Sequence, residues 1–211
     1  MIGDDFLDTA RVAARLLRNP SVAAAWGEPS ALPGFGVGGL AGHLAYQVVA
    51  LPAILGAPVP SEPVIGLLDH YARVEWIGAD LDADINVRIR AGGEETAAGG
   101  PKALAGSVDA AVAGLAVTLA VTPADRPVRI PLWGAWSLTL EDLLVTRMME
   151  LAVHADDLAV SVGVPTPRFG ESTVDTVLRL LTRLAARRHG PTALLRSFSR
   201  AERAAKSIAA F

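Results

Sequence analysis

Glu150 and His154 stand four residues apart in the run Arg147 Met148 Met149 Glu150 Leu151 Ala152 Val153 His154 Ala155 Asp156 Asp157. On a helix, residues at that spacing stack on one face about a turn apart, so a carboxylate and an imidazole can converge on one point. That geometry suits a metal ion, but two ligands alone hold one poorly. The candidate for a third is His43, more than a hundred residues earlier. The pair by itself also fits a solvated ion pair, or a buried histidine satisfied by its neighbour. The surroundings of His43 favour the metal. Leu40, Leu44, Val48 and Leu51 put it beside an apolar stripe, where an unpaired imidazole carries a desolvation cost. Gly38, Gly39, Ala41, Gly42 and Ala45 are small enough to let a neighbouring backbone come close.

Other polar residues cluster around these three. Arg147, one turn before Glu150, can reach a substrate carboxylate in a bidentate pair or make a salt bridge to Glu141, Asp142 or Glu150. Asp157, one turn after His154, can orient its ring from outside the ligand set, or serve only as a cap or solvated charge. Gln47, one turn after His43, is placed to contact a ligand in the same cavity. His70 reads as a core or boundary histidine, and His189, after Arg187 and Arg188, as a surface residue at a helix end. Trp133 and Trp136 flank a turn and either line a pocket mouth or pack.

The elements that must position these side chains are mostly helical. Leu140, Leu144, Met148, Leu151, Ala155, Leu158 and Val162 form one apolar stripe, so the Glu150 segment is an amphipathic helix. It stops at Gly163, Pro165 and Pro167. Periodicity predicts a first helix over residues 4 to 25, with Asp5 and Asp8 at its dipole-favoured start. Residues 26 to 36 hold two prolines and three glycines and form an ordered loop, because Trp26, Leu32 and Phe35 are costly to leave in water. Further helices are predicted near 37–55, 64–79, 85–98 and from Pro101 to about 119–122. Val128–Trp133 and Ser137–Leu140 suggest a short β-hairpin, and two helices, near 171–189 and 192–205, close the chain. The expected architecture is all-α, a four-helix bundle (1–165) with a hairpin and a C-terminal helical extension packed on it (166–211). Bundle interiors are common sites for metals held by facing helices.

Composition narrows the chemistry. In 211 residues the net charge is −3, which gives no sign of a nucleic-acid or membrane-surface partner. Asp4 and Asp5 occupy the place where a signal peptide needs basic residues, and no apolar run is expected to span a bilayer, so a cytoplasmic protein is expected. There are no cysteines, which excludes disulfides, thiolate zinc sites and a cysteine nucleophile. Thiol chemistry would need an external thiol.

Two stretches carry a family resemblance. Trp26, Pro29, Ser30, Leu32, Pro33, Gly34, Phe35, Val37, Leu40, His43, Leu44 and Ala45 are spaced like the opening signature of the mycothiol-dependent maleylpyruvate isomerase N-terminal domain, a branch of the DinB-like superfamily. Arg147, Glu150, Val153, His154, Asp156, Asp157 and Leu158 resemble its second signature. The resemblance covers roughly residues 5 to 165. It implies a DinB-like four-helix bundle with a divalent metal, zinc first among the options, on His43, Glu150 and His154. Nickel, manganese and iron also suit such ligands. It further implies mycothiol as co-substrate, with the metal activating the thiol toward an electrophilic small molecule in an isomerisation or S-transfer. The alternative is a non-catalytic metal-binding or interaction module of the same superfamily. The isomerases of this family carry a further mixed α/β domain, whereas residues after Pro167 here read as helices, so the resemblance leaves the electrophile open. Gly36 and Gly39 stand where relatives often carry a hydroxyl or an acid, which weakens the start of the second helix. A monomer and a homodimer are equally compatible with the sequence.

Overall fold

The structure, a computed structural model, describes every residue except Pro131 and Trp133. Four long helices form the bundle: α1 (Ile2–Leu17), α3 (Val37–Val49), α7 (Gly100–Val121) and α8 (Leu140–Ser161). α1 and α3 each pack against both α7 and α8, which closes the ring. Phe6, Leu40, Leu44, Leu115, Leu144, Met148, Leu151 and Leu158 fill the interior with under 2% of their surface exposed. The stripe read from the sequence of α8 is this buried face.

Helix ends follow local chemistry. The single helix expected over 4–25 is two, α1 and the short α2 (Pro20–Ala24), because Pro20 disfavours helical geometry at the residue before it. Asn19 caps α2 by accepting from the Ser21 backbone N–H at 2.9 Å. Pro52 similarly separates α3 from α4 (Leu51–Gly56), although the two run nearly end to end. Thr139 caps α8, accepting from the Asp142 N–H, with Glu141 and Asp142 in the first turn. As expected from Gly36, α3 has no side-chain cap.

The helix expected over 64–79 is the main correction. Only α5 (Leu67–Tyr71) forms there. Val64 makes a parallel bridge to Ser137, and Ile65 N–H donates to Ser137 C=O at 3.0 Å, so backbone pairing takes the residues that would have begun the helix. The hairpin is also shorter than expected: β1 (Pro127–Val128) pairs antiparallel with β2 (Leu138–Thr139), Pro127 opposite Thr139. Trp133 lies outside the described residues. At the far end, α9 (Glu171–His189) packs on α8, while the segment expected as one helix over 192–205 divides into α10 (Pro191–Ser199) and a 3₁₀ turn at Ala201–Arg203.

α6 (Asp84–Ala97) crosses α3 from outside the ring, and small residues set how closely. A Cβ on Gly42 would lie 2.0 Å from the Gly93 carbonyl oxygen, and one on Gly93 would lie 2.6 Å from that of Gly39. The glycines around His43 therefore admit the α6 backbone.

Two stretches, Val37–Gly56 and Gly100–Val121, reach the length and apolarity of a membrane span, contrary to the expectation that no apolar run does. The first contains α3, a core helix of the bundle, so burial against protein accounts for its composition.

Candidate metal centre

α3 and α8 are neighbours in the ring and bring the three predicted ligands together. One ligand atom from each of His43, Glu150 and His154 lies within 4.8 Å of the others. Both imidazoles address the same carboxylate oxygen: His43 Nε2 lies 3.6 Å and His154 Nε2 3.1 Å from Glu150 Oε2. The two rings meet edge to face, centroids 4.7 Å apart, and Phe35 from the loop closes over His43 at 5.6 Å. Ligand atoms on a tetrahedral zinc with bonds of about 2.1 Å are roughly 3.4 Å apart, so the residues fit an ion without rearrangement of the helices.

Asp157 completes the geometry. Its Oδ2 lies 2.9 Å from His154 Nδ1, and with the proton on Nδ1 the ring presents the Nε2 lone pair to the shared point. Asp157 is thus hydrogen-bonded to the ring, the contact that the first of the two readings requires. Ser161 Oγ donates to the Asp157 C=O and accepts from the Ala31 N–H at 2.8 Å, which ties the loop over this end of α8.

Charge in the cluster is tightly linked. Burial opposes ionisation of Glu150, but the hydrogen bond from His154 and the nearby His43 imidazole outweigh it and hold the carboxyl well below its usual range. Burial also opposes the charged form of His154, yet Asp157 and Glu150 together push its pKa up to about 9. At His43 burial wins over the attraction of Glu150, and the pKa falls. Without metal, His154 is therefore a cationic imidazole at neutral pH.

Arg147 and Gln47 sit beside the triad and hold each other. Arg147 Nη1 donates to Gln47 Oε1 at 2.5 Å and its Nε to Thr146 Oγ1, while Gln47 Nε2 donates to the His43 C=O at 2.9 Å. The salt bridge weighed for Arg147 does not form: among the described residues no carboxylate lies within ion-pair distance of it. Gln47, 2% exposed, is a strut between α3 and α8.

His70 is not among the clustered ligands. It is buried, accepts from Trp136 Nε1 at 3.1 Å through Nδ1, and burial lowers its pKa to about 4. His189 Nε2 lies 2.8 Å from the Ala209 C=O, so it tethers the tail as well as ending a helix. Sequence reasoning missed Tyr71, buried next to His70, whose pKa is raised by burial and then by the Glu150 charge. Its position depends on α5 packing on α9, which no local pattern announces.

Comparison with known proteins agrees with the fold. Residues 6–159 match the family model described as the mycothiol maleylpyruvate isomerase N-terminal domain. A crystal structure of the mycothiol-dependent maleylpyruvate isomerase superposes with a TM-score of 0.52 at 22% identity, covering 88% of this chain and 68% of that one. A histidine-to-alanine mutant of that isomerase gives the same TM-score at 21% identity, with the same coverage. At such identity the likeness speaks for the fold. No curated protein sequence matches significantly. With the family match spanning well over half of its length, the chain belongs to the mycothiol maleylpyruvate isomerase N-terminal domain family.

Proposed function

We propose that this chain is a metal-dependent enzyme that uses a low-molecular-weight thiol of the mycothiol type against an electrophilic small molecule, in an isomerisation or S-transfer. The observation that carries the reading is the convergence of His43 Nε2 and His154 Nε2 on one oxygen of Glu150, with the second nitrogen of His154 clamped by Asp157. Two imidazoles and a carboxylate suit zinc first, and three protein ligands leave a fourth position open, as in catalytic rather than structural sites. A bound divalent ion supplies a Lewis acid that favours the thiolate, the reactive form of a thiol.

The chain's own residues do the rest. His43, Glu150 and His154 hold the ion, Asp157 keeps the His154 lone pair aimed, and Gln47 fixes the backbone of His43. Partial burial of the triad, whose side chains are 15–16% exposed, limits water around the reacting sulfur. In the step itself the thiol gives its proton to solvent, and a carbon–sulfur bond forms at the electrophilic carbon as its π pair shifts to the conjugated carbonyl. Isomerisation follows if rotation about the new single bond precedes loss of the thiolate. S-transfer follows if the carbanionic carbon is protonated and the thioether leaves. Dependence on a reduced thiol suits a cytoplasmic setting.

The test combines elemental analysis, cobalt substitution and thiol consumption. About one divalent ion per chain is expected, with a thiolate-to-cobalt absorption band on adding thiol and thiol loss in the presence of electrophile. His154→Ala should lose the band and the activity while staying folded. Cobalt-loaded protein with no spectral response to thiol sinks the enzyme reading. Metal bound without any thiol consumption supports the non-catalytic module instead.

A further inference from the structure

A cavity of about 330 Å³ lies between α8, α9, α10 and the tail. Val153 forms its wall on α8, Leu181, Thr182 and Ala185 on α9, and Phe198 on α10, and residues 208–211 cross over it. Thr182 alone among the lining residues has a polar side chain. Phe198 borders the space with 65% of its surface exposed, a large ring left in water at a rim. Engineered apolar cavities of about 150 Å³ accept benzene, so this one has room for a ring with a short chain.

The α8 wall of the cavity neighbours the metal centre along the helix surface, because Val153 stands three residues after Glu150. Val153 immediately precedes His154, and at 3.6 residues per turn it lies about 60° round α8 from Glu150. From the other side, Phe211 packs at a tilt against Trp76 at 4.8 Å and Tyr71 at 6.0 Å, which holds the end of the tail against the ring cluster of α5. The tail is held in place, with the Ala209 C=O on His189 Nε2 and the Ala205 N–H on Ser197 Oγ. All of the lining except Val153 lies beyond residue 159, where the family match ends.

We propose that this cavity is the subsite for an apolar arm of the electrophile, so that the chain selects substrates bearing an alkyl or aryl group of about six to eight carbons, the volume scaling from the benzene cavity. The inference deepens the reading of a thiol-using enzyme and rests on it for the word substrate. Binding in the cavity stands independently of the metal. The C-terminal residues, rather than the part shared with the family, supply the selectivity.

The test measures binding of unreactive N-alkylsuccinimides, methyl through octyl, by titration calorimetry on the protein as purified and again after chelation. Affinity should rise roughly fourfold per methylene, the transfer free energy of one CH₂, and level off near hexyl to octyl with or without metal. Ala185→Phe, which fills the cavity, should move the plateau to shorter chains. Leu181→Ala, which enlarges it, should move the plateau to longer ones. The matching N-alkylmaleimides with thiol should show the same ranking in kcat/KM. Affinity that ignores chain length, or a plateau that neither variant moves, overturns the proposal. Chain-dependent binding with a flat maleimide ranking also overturns it, since the cavity would then not serve the reaction. Chain-dependent binding with no thiol consumption at all keeps the cavity as an apolar-ligand site and removes the enzyme reading alone.

Discussion

With His154 Nδ1 paired to Asp157 at 2.9 Å and Nε2 to Glu150 at 3.1 Å, one imidazole carries most of the electrostatics of the centre. In the metal-free protein its pKa, about 9, stands above the ordinary 6.5. The stabilisation from its charged form is therefore complete below pH 6.5 and lost as pH rises through 9, to the extent of at most about 3 kcal/mol. Chemical denaturation of the chelated protein should show this alkaline loss, and His154→Asn should flatten it. On the acid side the depressed His70, at about 4, takes stability away as pH falls from 6.5 toward 4, because the unfolded chain then binds a proton that the native one refuses. Asp157→Asn leaves the ring in place but weakens its orientation, and metal affinity measured by competition with a chelator should fall roughly 10- to 100-fold. An unchanged affinity would make Asp157 a bystander. The clustering of Glu150, His154 and Asp157 was legible because a helix converts spacing into shared face. Tyr71 and the Arg147–Gln47 strut were not, since each depends on which helices become neighbours.

Between α3 and α6 the contact is made by backbone, and that decides the sign of an ordinary helix substitution. Gly42→Ala would gain about 1 kcal/mol from helix propensity on an isolated helix. Here the new Cβ meets the Gly93 carbonyl at 2.0 Å, so the helices must part. The net effect should be destabilisation of about 2–3 kcal/mol, with weaker metal binding as His43 moves, read by thermal melting and metal competition. A stabilised Gly42→Ala would mean that α6 does not lie on α3. Helices with a long apolar period, such as α7 and α8, were placed within a few residues from sequence. The errors fell where a competing partner was distant: Val64 and Ile65 joined Ser137 instead of starting a helix, and Pro20 divided a segment whose apolar period continued across it.

For the molecule as a whole, a metal linking α3 to α8 ties two of the four bundle helices at a point where they carry buried polar groups. Binding to the native state alone at a hundred times Kd contributes about 2.7 kcal/mol, or roughly 5–10 °C in melting temperature for a chain of this size. Chelation should lower the melting temperature by that amount, and readdition of zinc should restore it. Chelation without any shift would mean that the triad holds no ion in the folded protein. α9 is bound into the same unit, with Thr173 Oγ1 2.9 Å from Thr9 Oγ1 on α1 at a buried contact. Sequence by itself determined the helical class, the stripe that faces the core, the N/O-only ligand set in a chain without cysteine, and the pairing of Glu150 with His154, because each follows from local period or residue chemistry. Only the tertiary structure decided that His43 reaches the same carboxylate oxygen, that α5 packs on α9 with Tyr71 against Phe211, and that residues 208–211 line an apolar cavity with α8, α9 and α10. Those outcomes depend on how helices far apart in the chain pack, and packing is set by the whole core at once rather than by any stretch of it.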